Sequence, residues 1–567
     1  MTNDQKPMTP DRNDRARNVL ERWEALSTEL GVWKTNWQDI ATYIQPRKSG
    51  ITVTRSYGDT APQAQLFTST AIRGNQILAN GMVSMMTPVE SPWFAFDAPA
   101  SQESVDAVKA WYAQCTEIIQ ALMASSNFYT EVHEMFLDRG GFGTAAMHVE
   151  QGKRQVLNFT NLPIGTYAIS ENDEGYVDTV MREIPMTIRQ AVQKFGVERL
   201  SKRVRDKYHD AKNPKAREEK ITIIHGIYPR DPGEYEEGKI GAENMPIASC
   251  YIEKEGPHLI DEGGYQEMPT FVTRYLKWGE GFAYGWCPSW FALPDARQLN
   301  FLEKMMDALA EKAAFPPMIA PASMEGVTTV DVRANGVTYV EGDETQILRE
   351  WQTQGRYDIG KDRVLQKEES INEAYHVDLF KMFSDYQGPQ MTAYEASLRQ
   401  NEKLIQFSPT NTRLTTEFFN PLLQRVWGLC LRAGVLPPPP QEAVQQGPDQ
   451  QGYIPEPEIT YTSRIALAIK SLETDGFLKT LQMLMPLVQA GKPEVLDYIN
   501  FDEAVPDVAR NNGCPSRFLM LDDDVQKIRD ARAQAAQQAQ QMAMQQHAAG
   551  VLKDSAQAQA QLSKADA

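Results

Sequence analysis

The chain has 567 residues, 42% hydrophobic and 23% charged, the make-up of a folded protein with several domains rather than of a disordered one. Its 57 basic and 75 acidic residues leave a formal net charge of −18. So acidic a surface excludes tight, non-specific wrapping of DNA, yet it suits a protein that DNA must slide past without sticking.

In chain order, Asp14 to Tyr43 predicts a helix, with Val19, Leu20, Trp23, Leu26, Leu30, Trp33 and Trp37 at three- and four-residue steps. Thr70–Met86 and Ser104–Ala124 predict two more, separated by the breaker run TPVESPW. From Ala145 the texture turns to short β-prone runs (AAMHVE, QVLNFT, TYAIS, YVDTVMRE), then a charged helix, then ITIIHGIY, IASCYIEKE and TFVTRYL. This middle region reads as α+β. Pro294-Asp295 is expected to open a helix in which Leu299, Leu302, Met306, Leu309 and Ala313 form a heptad-like seam ending at Pro316-Pro317. A second helix, about Asp362 to Phe383, carries Val364, Ile371, Tyr375, Leu379 and Met382 on one side. Between the two, VTTVDVRANGVTYVEGD sets Asn335-Gly336 between alternating β runs, a strong hairpin signal. After the Gly388-Pro389 turn, Thr392 and Glu395 form a capping box, and Glu395 can pair with Arg399. The helix so started should reach about Ala433, broken or kinked at Ser408-Pro409 and Asn420-Pro421. A Pro/Gln linker, a last helical region and an Ala/Gln-rich tail follow.

Motifs for chemistry fail one by one. GRYDIGKD (Gly355–Asp362) fits G-x-x-x-x-G-K, but Asp362 replaces the magnesium-binding Ser or Thr and no apolar strand leads in. RGGFGTAAMH lacks a third glycine and reads as a helix-to-strand turn that needs positive φ. The seven histidines include no H-E-x-x-H or H-x-H, and no G-x-S-x-G occurs. The five cysteines (Cys115, Cys250, Cys287, Cys430, Cys514) are scattered, as expected of thiols used as small apolar residues in a reducing cytosol. KRVRDKYHDAKNPKAREEK (Lys202–Lys220) is basic, but acids interrupt it and no aromatic ladder accompanies it, so it reads as a solvated helix face. Asp522-Asp523-Asp524 reads as another solvated face or a helix start. The expectation is no catalysis, no cofactor and no metal. Neither a secretory h-region nor a membrane-length apolar run is seen.

Two segments carry a family likeness. WGEGFAYGWCPSWFALPDARQLN (Trp278–Asn300) resembles the wing-to-stem signature of head-to-tail connectors of short-tailed, T7-like phages, through Gly279-Glu280, Tyr284-Gly285, Pro288 and Leu293-Pro294-Asp295. The run from Met391 is similar to the same family's M-T-A-x-E-x-x-x-R-x-x-E-K segment, through Thr392, Ala393, Glu395, Arg399, Glu402 and Lys403. Trp286-Cys287 departs from the pattern, where small residues are usual. The likeness spans most of residues 15–530 and implies a mixed α+β, predominantly helical portal fold.

The resemblance also implies parts: wing and N-terminal arm 1–293, stem helices 294–315 and 358–383, and clip 316–357 with its turn at Asn335 and Gly336. It implies a tunnel loop at 384–391, a kinked wing helix at 392–434, a linker at 435–452, a crown at 453–530 and a tail at 531–567. Gln387, Gly388, Pro389 and Gln390 would face the DNA channel without charge, and the Leu299 to Ala313 seam would pack the ring. What is implied in function is a twelve-subunit ring at one capsid vertex, assembled in the bacterial cytoplasm, for packaging and ejecting DNA. Its implied partners are further copies of itself, the terminase large subunit, a tail adaptor, capsid and scaffold proteins, and double-stranded DNA read without sequence specificity, with no membrane. A polar helix such as that at Thr392 is poor core for a monomer but suits pairing across subunits. Competing readings are another virion protein of the capsid or scaffold class, or a packaging ATPase-nuclease, which would need the P-loop and acidic metal cluster missing above.

Overall fold

The computed structural model describes residues 12–53, 65–99, 106–152, 155–210, 213–235, 241–321, 331, 333, 335–340, 349–350, 357–380, 408–446, 452–462, 476–486, 493–511, 520 and 525–542. The chain divides into two compact units: Met1–Gln102 with Val108–Ile469, and Glu103–Ala107 with Lys470–Ala567.

The first unit opens with α1 (Arg12–Tyr43). Its Ala16, Val19, Trp23, Leu30, Trp33, Trp37 and Ile40 are buried, so the tryptophans read from periodicity do form core. Next come α2 (Thr70–Met86), β1 (Phe94–Asp97), α3 (Asp106–Ser125) and α4 (Phe128–Phe142). Gly143 caps α4 with φ +84 and turns the chain directly into β2 (Thr144–Glu150), the helix-to-strand turn the sequence predicted. A Cβ there would stand 2.3 Å from the Gly285 carbonyl oxygen, so only glycine fits.

The expected α+β middle is two antiparallel sheets. Strands β3 (Asn158–Leu162), β4 (Tyr167–Glu171) and β5 (Val177–Thr187) lead to the short helices α5 (Ile188–Phe195) and α6 (Lys202–His209). Then follow β6 (Lys220–Pro229), β7 (Ile247–Glu253), β8 (His258–Tyr265) and β9 (Thr270–Arg274). One sheet has the order β3-β2-β9 and the other β4-β5-β6-β7-β8. Ile188, Ala191 and Phe195 of α5 pack with Leu200, Val204, Ile221, Ile223 and Ile260. Helix α5 is started by a Thr187–Gln190 capping box.

The two-residue strands β10 (Leu276–Lys277) and β11 (Gly285–Trp286) pair before α7 (Pro288–Ala314). This helix starts six residues earlier than the expected Pro294 opening. Pro288 takes the first helical position, where a missing N–H costs nothing, and Pro294 sits inside the second turn. Strand β12 (Met318–Pro321) then joins β13 (Val337–Val340) in parallel and β14 (Arg349–Glu350) antiparallel. Helix α8 (Tyr357–Ala374) follows. The continuous helix expected to Phe383 is interrupted: His376 takes φ +53, and α9 (Val377–Phe380) is a separate turn.

Helix resumes over Ser408–Leu414, widens into a π-helical turn at Thr415–Phe419, and continues as Asn420–Arg432. The kink expected at Asn420-Pro421 is this wide turn. Short strands β15 (Gln445–Gln446) and β16 (Gly452–Tyr453) pair, and β17 (Glu458–Tyr461) returns to β1. In the second unit, helices at 476–486 and 525–542, with Pro493–Tyr498 and Phe501–Asn511 between them, bury no described residue.

Candidate functional site

Helices α7 and α8 lie antiparallel. Asp295 near the start of α7 takes Lys367 (2.8 Å) and Ser370 (2.6 Å) of α8, while Met306, three turns on, covers Gly360. At their root the pair is seated in the body. Ser289 donates to the Gly140 carbonyl (2.9 Å) and shares a hydrogen bond with the buried Tyr375 hydroxyl (2.8 Å), whose ring lies over Gly74. Every buried residue of α7 lies between Pro288 and Leu299, and the one in α8 is Ile371. Beyond these points the two helices run on as a stalk that ends in the β12–β14 sheet.

The seam expected to pack a ring is therefore turned toward its own chain at its start. Leu299 is fully buried, Leu302, Met306 and Leu309 are half-buried, and Ala313 is exposed. The apolar row left open runs alongside: Phe291 (62% exposed), Phe301 (60%), Met305 (43%) and Phe315 (55%). On α8, Tyr357, Ile359 and Leu365 are about half exposed as well. Phe291, Phe301 and Met305 fall on two adjacent heptad positions, giving one face along α7, and Phe315 follows as its C-terminal cap. Sequence periodicity sees both rows as apolar and cannot tell which one the chain itself covers.

At the stalk root is an aromatic cluster. Trp278 lies 4.5 Å from Trp286 and 5.3 Å from Trp290 between ring centroids, and edge-on to Trp33 at 5.1 Å. Trp286, the residue that departs from the family pattern, stacks on Trp290 at 5.3 Å. Trp278, Phe282 and Leu276 keep 40–46% of their surface open, extending the apolar row of α7 toward the body.

Asn335 and Gly336 lie in a tight turn. Gly336 N–H donates to the Arg333 carbonyl (2.9 Å), Asn335 takes φ +57, and a Cβ on Gly336 would stand 2.8 Å from the Asp331 carbonyl oxygen. The strand after this turn pairs in parallel with β12, a partner the sequence did not suggest. The run before it, apart from Asp331 and Arg333, lies outside the described residues. So do Gln387, Gly388, Pro389 and Gln390, the capping box at Thr392, and Asp522 to Asp524.

The enzyme-like strings resolve as packing. From Tyr357 onward GRYDIGKD is helix, with Gly360 giving room to Met306. The basic run is matched by acids: Arg203–Glu255 (2.6 Å), Lys207–Glu219 (2.5 Å) and Arg205–Glu198 (3.4 Å). Burial pushes the Cys115, Cys287 and Cys430 thiols up to about 12, far from a reactive thiolate. Among the described residues no group of three His, Cys, Asp or Glu could hold a metal, and no helix is long and apolar enough to cross a membrane.

Sequence reasoning missed the buried ionic hub. Arg274, at the end of β9, is 1% exposed. Its guanidinium meets Glu417 (2.7 Å) and Glu171, and donates to the Gly175 carbonyl (2.9 Å). Its backbone N–H donates to the other Glu417 oxygen at 2.8 Å. The available signal was a lone charge in each of two apolar runs, TFVTRYL and TEFFNPLL.

Residues 16–519 match the family described as bacteriophage head to tail connecting protein. The portal protein of Salmonella phage epsilon15 is 30% identical over 537 residues, 94% of this chain and 93% of that one. A probable portal protein of Bordetella phage BPP-1 is also 30% identical over 537 residues, 93% of this chain and 92% of the relative. A chain of the solved virion of a native gene transfer agent particle aligns with 12% identity and TM-score 0.33, covering 82% of this chain and 98% of that one, too loosely to compare folds.

Proposed function

The chain belongs to the bacteriophage head-to-tail connecting protein family and functions as a portal protein, and we propose that it does so as a closed ring of identical subunits whose stalks stand side by side around a DNA channel. The observation that carries the ring is the open apolar row of α7. Three large side chains left uncovered along one helix face, with a fourth at its C-terminal cap, are costly in water, and a neighbouring copy that supplies its own stalk would cover them. Twelve subunits is the number that the family resemblance supplies. The ring would occupy one capsid vertex of the virion, with capsid and scaffold proteins around the wing.

The β12–β14 sheet at the stalk tip would be the docking platform, first for the terminase large subunit and then for the tail adaptor. Gln387, Gly388, Pro389 and Gln390 would form the loop that touches passing double-stranded DNA. Glutamine exchanges hydrogen bonds with phosphates but releases no counterions, so each contact is weak and transit in either direction is free. Portal proteins are structural connectors, and the work of packaging belongs to the motor that docks on them.

Changing Gln387 and Gln390 together to lysine tests the channel assignment. It adds two positive charges per subunit, and even about 1 kcal/mol per new phosphate contact sums around a ring to strong retention. Expected are normal rings, slowed packaging or ejection, and recovery of rate with added salt. Wild-type translocation in low salt would remove this loop from the channel wall.

A further inference from the structure

The π-helical turn Thr415–Phe419 has a local cause and a tertiary one. Pro421 has no N–H for the Glu417 carbonyl and its ring crowds that carbonyl, which disfavours a regular α-helix at this point. The turn widens instead, with Asn420 N–H reaching back to the Thr415 carbonyl. The widened turn buries three consecutive side chains, Glu417, Phe418 and Phe419. Phe418 faces Phe271 of β9 at 6.5 Å, and Phe419 faces Trp93 at 5.1 Å and Tyr461 at 6.2 Å. Between them Glu417 is gripped by Arg274 through side chain and backbone, and by Arg413 at 3.0 Å.

Arg274 is itself tied to the other parts of the unit: to Glu171 of β4, to the Gly175 carbonyl, and to the Ala283 carbonyl just before the stalk (3.4 Å). Arg139, at the end of α4, adds a second tie. It lies over the Tyr275 ring at 4.9 Å and donates to the Thr410 carbonyl at 3.0 Å. The five-stranded sheet and the entry to the stalk thus meet at the Arg274 guanidinium, and the helix segment Ser408–Leu414 joins them through Arg413 and the Glu417 carboxylate that both arginines hold. A π turn holds one residue more than an α turn, so releasing it would rotate the preceding helix by about 100° and shift it by about 1.5 Å.

We propose that Glu417 is a positioning residue for DNA passage: its clasp by Arg274 and Arg413 locks the rotational register of Ser408–Leu414, and so fixes how the chain arriving from residue 407 is presented. The link to DNA rests on the portal reading above; the register lock does not.

Glu417→Gln keeps the shape and removes the charge. In assembled variant rings, amide hydrogen exchange over 408–414 should rise about tenfold or more while 420–432 stays at the wild-type rate, because the charge-assisted bonds hold only the upstream segment. Particles built with the variant should hold or release DNA abnormally despite normal rings. Unchanged exchange, or a rise shared equally by both segments, overturns the lock. Selective exchange with wild-type DNA handling overturns the role in passage and leaves the portal reading intact, since that reading fails only if the wild-type chain forms no rings. Pro421→Ala tests the lock without touching the charge, even if Glu417→Gln does not fold. With the clasp intact the wide turn and its exchange pattern should persist, and a turn that relaxes to α-helix would show that proline, not Glu417, sets the register.

Discussion

Leu299 and Phe301 are two positions apart on α7 and should fail in opposite ways. Leu299 is fully buried in the free subunit, so Leu299→Ala leaves a cavity and should cost about 2–5 kcal/mol, a large share of the roughly 5–15 kcal/mol that holds a domain together. Phe301 and Met305 are 60% and 43% exposed, so changing both to aspartate leaves no cavity and gives up only the part of their surface already buried, about 1.5–3 kcal/mol for the pair. Their open surface is what a neighbour would bury. Full burial of such side chains is worth about 1.5–3 kcal/mol each, which scaled by those exposures gives about 1.5–3 kcal/mol for the pair, before the cost of burying two carboxylates. Each subunit contact should therefore weaken by about ten- to a hundredfold from the lost burial alone, and the loss recurs at every contact. Urea unfolding and light scattering separate the cases: Leu299→Ala lowers the unfolding midpoint yet assembles while folded, whereas Phe301→Asp/Met305→Asp is folded and stays monomeric. Ring formation by the double aspartate at wild-type concentrations would refute the assignment of this face.

Gly143→Ala and Gly196→Ala both place a side chain at φ near +85, but only the first meets a backbone oxygen, at 2.3 Å. Gly196→Ala should cost about 1–2 kcal/mol and Gly143→Ala at least twice that, measured as shifts in unfolding free energy. Buried His225 accepts from Arg182 at 3.0 Å and stacks on Tyr251, and burial and the nearby cation hold it well below the ordinary imidazole range; His148 is lowered by burial too. Their contribution is complete above the unfolded value near 6.5. Below it the unfolded chain takes up protons that the folded chain refuses, so stability falls by about 1.4 kcal/mol per pH unit per histidine until the folded values are reached. Comparing unfolding at about pH 7.5 and about pH 5, His225→Gln should show a shallower loss than wild type; an equal loss would mean that other groups govern the acid limb.

Much of the architecture was legible because it is periodic. The tryptophan ladder of α1, the alternating strands after Ala145 and the glycine at position 143 each follow from short-range chemistry, and each is where spacing placed it. What spacing could not settle was which side of a doubly apolar helix faces its own chain. Leu299 and Phe301 are both large and apolar, and only the tertiary packing around α7 distinguishes them. Nor could it start α7 correctly, because Pro294 looks like a first-turn proline until Pro288 is seen to hold that place. The parallel pairing of β12 with β13 joins runs separated by more than ten residues and leaves no local signature. Arg274 and Glu417 lie 143 positions apart, and nothing in either run names its partner.

Direct imaging of the purified protein by electron microscopy tests whether a ring with an axial opening is the working form of this chain. Expected are annular particles of one dominant symmetry, with the stalks packed around the opening and Phe301 and Met305 buried between neighbours. Monomers, extended rods, or rings in which those two side chains stay in solvent would contradict it.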